Sequence, residues 1–161
     1  MGCATHRQMP PARPWALLGL GNPLGRDDAV GLWVAEELVG SCWTVFRGGT
    51  APENVVGKIA RLRPAKLVIV DAADMGLPAG SFRRLPLAGS ATMLTSTHGL
   101  PLTFLLGQLT ACSALSLVGV QPGALGLGQG LTPEVQAGAR ELVALLAQGE
   151  VSAIPVWAGA P

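Results

Sequence analysis

Charge is scarce in this chain. Only 13% of its 161 residues are Asp, Glu, Lys or Arg, and 11 basic against 10 acidic residues leave a formal net charge of +1. Nucleic acids and anionic membrane surfaces are held by clustered basic residues, so neither is an expected partner. Cysteine is equally sparse: Cys3, Cys42 and Cys112 are odd in number and show no C-x-x-C spacing. That pattern excludes a disulfide scaffold and a structural zinc knuckle and fits a reducing cytoplasm. Cys42 and Cys112 sit within apolar segments and read as core. Long apolar runs are missing as well. Trp15 to Leu20 is too short for a signal-peptide core, and Leu102 to Val120 is interrupted by Gln108, Thr110, Ser113 and Ser116. The second stretch therefore reads as a buried helix and a buried strand, with no membrane span. Internal repeats and dividing linkers are absent too.

What is present is apolar. Hydrophobic residues make up 49% of the chain, enough for one compact core at this length. Residues 1–13 read as a flexible tail and 14–161 as a single α/β domain. Between Arg84 and Glu134 there is no Asp, Glu, Lys or Arg, and His98 is the only side chain that can carry a positive charge. A surface so poor in charge has little to repel a protein partner, and such patches mark interfaces.

In chain order, Trp15 to Leu20 predicts a first strand ending in a Gly21-Asn22-Pro23 turn, and Val30, Trp33, Val34 and Leu38 fall at helical spacing. Trp43 to Phe46 predicts a second strand. Val56, Ile59, Ala60 and Arg63 predict a second helix stopped by Pro64. Lys66 to Val70 is almost wholly apolar, as a strand covered on both faces must be, and ends at Asp71. Ser81 to Leu87 predicts an edge strand, Pro101 to Leu109 a helix, and Leu115 to Val120 a buried strand. A glycine-rich connection, Gly123 to Gly130, reads as flexible. Thr132-Pro133-Glu134 opens the last helix with a capping hydroxyl, and Val135, Ala139, Leu142, Val143 and Leu146 form its apolar stripe. The alternation predicts an α/β fold: a single doubly wound, mostly parallel twisted sheet with helices on both faces.

Carboxylates follow two of the predicted strands. Ligands bind such sheets at the carboxyl ends of the strands, so Asp27, Asp28, Asp71 and Asp74 are the candidates for chemistry. One of the adjacent pair, Asp27, is explained as a helix N-cap; Asp28 then faces elsewhere. Asp71, at the end of an unbroken apolar strand, needs a partner to offset its desolvation. Asp74 reads as a turn residue. His98 is the only histidine beyond the tail; imidazole with two carboxylates suits a borderline divalent ion such as nickel or zinc. The alternative of dinucleotide binding at Gly19-x-Gly21 is disfavoured. Leu24 stands at the third glycine position, two acids occupy the place of a pyrophosphate, and the second strand ends in Arg47 in place of an acid.

With these residues in hand, the chain resembles the hydrogenase maturation endopeptidases, which trim the C-terminus of the large subunit of nickel-iron hydrogenases. The matching pieces are Gly19-Leu20-Gly21-Asn22 with Asp27, Asp28 and Gly31; Gly48-Gly49-Thr50-Ala51-Pro52-Glu53-Asn54; Val70-Asp71-Ala72-Ala73-Asp74-Met75-Gly76; Thr97-His98; and Gly119-Val120-Gln121-Pro122. They run in the family's order from about residue 16 to 148 and are most similar to the branch serving formate-hydrogenlyase-type hydrogenases.

The resemblance implies a phosphorylase/hydrolase-like twisted sheet, with Asp28, Asp71 and His98 as catalytic residues and metal contacts. Asp28 stands where some members have glutamate. The implied metal is nickel, carried by the hydrogenase precursor, with no organic cofactor. The implied reaction is hydrolysis of one peptide bond near the precursor's C-terminus after nickel insertion. Either the ion activates water or an aspartate acts as general base, the aspartyl-type alternative. The expected partner is the large-subunit precursor in the cytoplasm, with a monomer as the working expectation. Two other readings compete: a non-catalytic nickel-sensing or chaperone module, and a peptidyl-tRNA hydrolase. The second shares the Gly19-Leu20-Gly21-Asn22-Pro23 opening but has a histidine where this chain has Asp27 and Asp28, and a neutral chain suits tRNA poorly.

Overall fold

The computed structural model describes residues 13–88, 94, 102–109 and 114–159. Its strands are β1 (Trp15–Leu20), β2 (Trp43–Gly49), β3 (Lys66–Ala72), β4 (Phe82–Leu85) and β5 (Leu115–Val120). Its helices are α1 (Val30–Glu37), α2 (Glu53–Leu62), α3 (Leu102–Gln108) and α4 (Pro133–Ala147), with short 3₁₀ turns at Arg26–Ala29 and Val151–Ala153. The five strands form one sheet in the order β2-β1-β3-β5-β4. All pairings are parallel except that of β4, which runs antiparallel along β5. This is the doubly wound, mostly parallel sheet expected from the sequence.

Strand alternation divides the apolar residues between two cores. Leu17, Val68, Val70, Ala72, Val118 and Val120 pack with α1 and α4, through Val30, Val34, Leu142 and Leu146 among others. Leu18, Leu20, Leu67, Ile69 and Leu117 pack on the other face with Val56 and Ile59 of α2 and Leu105 of α3. A period of two makes this unavoidable: each strand buried on both faces needs an apolar residue at nearly every position. By the same alternation Asp71 shares the face of Leu67 and Ile69.

The order of the strands locates the switch point. From β1 the chain crosses to β2 through α1 on one face, then returns past β1 to β3 through α2 on the other. Both crossovers join parallel strands, so opposite directions of travel under one handedness place the two helices on opposite faces. The crevice lies between the carboxyl ends of β1 and β3, the adjacent central strands.

Several expectations are revised. The helical spacing that opens at Val30 does mark the start of α1, but a 3₁₀ turn at Arg26–Ala29 precedes it and holds both Asp27 and Asp28. β2 and β3 each run beyond their expected ends, so Asp71 is a strand residue and not the stop after one. The edge at β4 is not bare: Arg84 N–H donates to the Pro155 carbonyl at 2.8 Å, and Trp157 N–H donates to the Arg84 carbonyl at 2.9 Å. The last residues thus cover the unpaired row that an edge strand would expose. Cys42 is exposed, not core, because it lies in the turn before β2. Cys112 and the 1–12 part of the expected tail lie outside the described residues. Among the described residues no helix is long and apolar enough to cross a membrane.

α1 approaches the sheet closely because Gly31 faces the strands. A β-carbon there would collide with the carbonyl oxygens of Val70 and Leu20 and lie 2.9 Å from the Leu20 nitrogen. Gly31→Ala is therefore expected to lose about 3 kcal/mol of stability by overpacking. Gly57, exposed on α2, has only the far end of Arg61 within 4 Å. Gly57→Ala is expected to gain about 1 kcal/mol from helix propensity. Urea unfolding midpoints check both signs.

Candidate active site

The exit from β1 is a succession of tight turns. Gly21 adopts a φ of +136°, and a β-carbon on it would strike the Asp28 carbonyl. The Asp28 backbone is thus folded back directly over the end of β1. Asn22 Oδ1 accepts from Leu24 N–H at 3.0 Å, Gly25 N–H donates to the Asn22 carbonyl at 3.0 Å, and Asp28 N–H donates to the Gly25 carbonyl at 3.1 Å. Gly25 must be glycine for a different reason: a β-carbon would sit 2.9 Å from Asp28 Cβ and 3.2 Å from its Oδ2. The half-buried carboxylate of Asp28 therefore rests against Gly25, beside Asn22. Between them and Asp27, Arg26 takes a φ of +55°, in the left-handed region that non-glycine residues seldom enter. Such local strain concentrates where the surrounding structure fixes a functional geometry.

Asp27 and Asp28 are neighbours with opposite fates. Asp27 is fully buried and accepts four hydrogen bonds. Gly123 N–H at 2.9 Å, Ala124 N–H at 2.7 Å and the Thr132 hydroxyl at 2.9 Å reach Oδ2, while Thr132 N–H at 2.7 Å reaches Oδ1. It caps no helix of its own; neither the 3₁₀ turn nor α1 has a side-chain cap. It ties the Gly123–Thr132 connection to the β1 exit instead. That connection is consequently not the flexible loop expected from its glycines: Asp27 N–H also donates to the Ala124 carbonyl, Arg26 N–H to Gly128, and Gly128 N–H to Leu24. Thr132 does stand at the N-cap of α4, but makes no side-chain cap bond; its hydroxyl is used on Asp27.

Asp71 enters from the neighbouring strand. It is fully buried, one residue before the end of the β3 ladder, opposite Gly119 of β5. Its Oδ1 is buried without a hydrogen bond, although the residue has other interactions. The 3₁₀ turn carrying Asp28 packs against β3, and Gly31 meets the Val70 carbonyl, so Asp28 and Asp71 flank the same crevice at the switch point. Asp74, expected as a turn residue, is one: it is exposed, and its Oδ1 accepts from Gly76 N–H at 3.4 Å and Gln121 Nε2 at 3.3 Å.

Gln121 is the organising residue that motif reading did not single out for a role. Its Oε1 accepts from Met75 N–H at 2.7 Å and Leu77 N–H at 3.3 Å, which shapes the β3 exit. A polar residue directly after the apolar β5 run was the available signal. His98, the third expected ligand, lies outside the described residues. Among the described residues no three His, Cys, Asp or Glu side chains are grouped to hold a metal ion. A surface cleft of about 440 Å³, lined among others by Arg83, Glu134 and Glu141, contains none of the candidate acids.

Comparison with known proteins decides the family. The family model for hydrogenase maturation protease, HycI, matches residues 34–148. The chain belongs to the hydrogenase maturation proteases. It is similar to the hydrogenase 3 maturation protease of Escherichia coli K12, with 37% identity over 125 residues, 74% of this chain and 80% of that protein. Its fold is similar to the crystal structure of a hydrogenase 3 maturation protease, with a TM-score of 0.81 and 32% identity, covering 91% of this chain and 98% of the other. It is also similar to HycI of Thermococcus kodakarensis, with a TM-score of 0.71 and 34% identity over 85% and 92% of the two chains. Membership carries the activity expected from the sequence: this maturation protease is an endopeptidase, a hydrolase of peptide bonds, acting in the processing of a hydrogenase large subunit.

Burial is the largest influence on Asp27 and pushes its pKa up, but the donors from Ala124, Thr132 (backbone and hydroxyl) and Gly123 together hold it below the ordinary 3.8. A lowered pKa means the bound, charged form contributes its full stability above the ordinary value and loses it as pH falls through the lowered one. Asp27→Asn is expected to destabilise the fold by about 3 kcal/mol at neutral pH, since amide hydrogens then face backbone donors. It is also expected to flatten the acid limb of stability, which denaturant unfolding at a series of acid pH values measures.

Proposed function

We propose that this maturation protease removes the C-terminal extension of a [NiFe]-hydrogenase large-subunit precursor in the cytoplasm, and that nickel already inserted in the precursor is the recognition element. Asp28, Asp71 and His98 are the residues that contact the metal of the substrate. The observation carrying this reading is the placement of two carboxylates, one fully buried, at the carboxyl ends of the two central strands. A buried carboxylate needs compensation for its desolvation cost, and at the mouth of a crevice a substrate cation is one form that compensation takes.

The position of His98 in the chain supports its membership of the set. Leu94, four residues before it, bridges Ala73 just beyond the end of β3, and Leu102, four residues after it, begins α3. In sequence, His98 therefore falls between a residue that pairs at the β3 exit and the start of a helix on the sheet face that Asp71 shares. Carboxylate and imidazole donors suit nickel.

In the hydrolysis itself, the C–N bond of one peptide near the precursor's C-terminus breaks, a water supplies hydroxyl to the carbonyl carbon, and its remaining proton leaves on the new amine. The metal delivered with the substrate can polarise that carbonyl. On the protein side, Asp28 and Asp71 fix the substrate's metal centre at the crevice, and a carboxylate there can accept the proton of the attacking water. A chain that needs its substrate's own metal cuts nothing that is not yet loaded.

Peptide release from a C-terminally extended large subunit, with and without nickel, tests the proposal. Wild-type protein is expected to cut only the loaded precursor. Asp28→Ala, Asp71→Asn and His98→Ala are each expected to lower the rate about 100-fold or more while far-UV circular dichroism stays unchanged. Equal cleavage of nickel-free precursor would overturn the role of nickel, and a fully active His98→Ala would remove the histidine from the set. Binding of loaded precursor without release of peptide would favour the non-catalytic module.

A further inference from the structure

Three leucines stand in solvent on the two paired segments that adjoin Asp28. Leu24 is 48% exposed, Leu125 52% and Leu127 92%. They lie on two segments that run side by side, with a parallel bridge between Gly25 and Gly128 and hydrogen bonds linking Leu24 to Gly128 and Asp27 to Ala124. Leu127 is flanked by Gly126 at φ +107° and Gly128 at φ +156°, a turn that carries its side chain outward. The buried Asp27 carboxylate holds the base of this turn.

The geometry points to Leu24, Leu125 and Leu127 as a docking surface for the large-subunit precursor itself, contacting apolar side chains near the segment to be cut. Continuity with the site commits the patch to that occupant. Gly25, next to Leu24, rests against the Asp28 carboxylate, so a protein whose peptide bond reaches Asp28 lies across the leucines. The downstream segment carries no charge of its own, since Leu125 and Leu127 fall in the stretch between Arg84 and Glu134 that holds no Asp, Glu, Lys or Arg; the Arg26 side chain runs along Gly128 beside it. A rigidly held apolar knob suits a partner's pocket because little order is lost when it docks. This surface rests on the reading of Asp28 as part of the active site.

The test compares Leu127→Asp and Leu125→Asp with Val39→Asp, an apolar position just after α1 whose exposure lies between those of the two leucines, in steady-state processing of loaded precursor. The two leucine variants are expected to raise KM about ten- to a hundredfold with kcat unchanged, and Val39→Asp to leave both untouched. An unchanged KM in Leu127→Asp overturns the surface, as does an equal effect of Val39→Asp. A wild-type dimer in light scattering that Leu127→Asp converts to monomer also overturns it, since the occupant is then a second copy of this chain. Failure of the active-site reading is separable: it shows as cleavage by Asp28→Ala or Asp71→Asn and leaves the leucine comparison readable.

Discussion

One buried carboxylate holds the active-site end of the sheet together. Asp27 has no exposed surface, yet it remains charged because four donors converge on it from Gly123, Ala124 and Thr132. Three of the four are backbone N–H groups, which would need other partners if the acid were absent. The bond is thus mutual: the connection before α4 supplies the solvation that the acid lost on burial, and the acid supplies acceptors to a glycine-rich segment with no ladder of its own. Everything presented on that segment inherits its position from this contact.

The adjacent acids divide two kinds of work that a single aspartate could not do. A carboxylate fully occupied with four internal donors is unavailable for chemistry, while one left at the crevice cannot also anchor a distant loop. Successive residues in a 3₁₀ turn point in different directions, so Asp27 turns inward to the α4 connection and Asp28 turns against Gly25 at the open edge. The cost is local strain at Arg26, the residue before the pair, whose positive φ is what lets the chain leave one tight turn and enter the next.

Much of the fold was legible in the sequence because it depends on periodicity. β5 and the apolar stripe of α4 follow directly from alternation and helical spacing, and the position of the acids after apolar runs located the crevice before any coordinates. What local pattern does not carry is partnership at long range. Nothing near Asp27 distinguishes it from Asp28; the difference lies 96 to 105 residues downstream. Thr132 has the sequence of a helix cap and the position of one, but its hydroxyl is turned to donate to Asp27 and accepts no cap bond. The same limit explains Gly123–Gly130, where glycine content suggested freedom and a remote carboxylate removed it, and β4, whose open side is covered by residues some seventy positions later.

The second wall of the crevice repeats the arrangement with different chemistry. Where the chain leaves β3, the Gln121 amide oxygen binds two successive turns of backbone at Met75 and Leu77, its nitrogen reaches Asp74, and the Trp157 indole donates to the Met75 carbonyl at 3.4 Å. Both exits flanking the crevice are therefore fixed by side-chain bonds to remote parts of the chain: Asp27 of the β1 exit binds the Gly123–Thr132 connection, and Gln121 and Trp157 bind the β3 exit. A protease gains from such stiffness, since walls already fixed lose little further freedom when the substrate arrives.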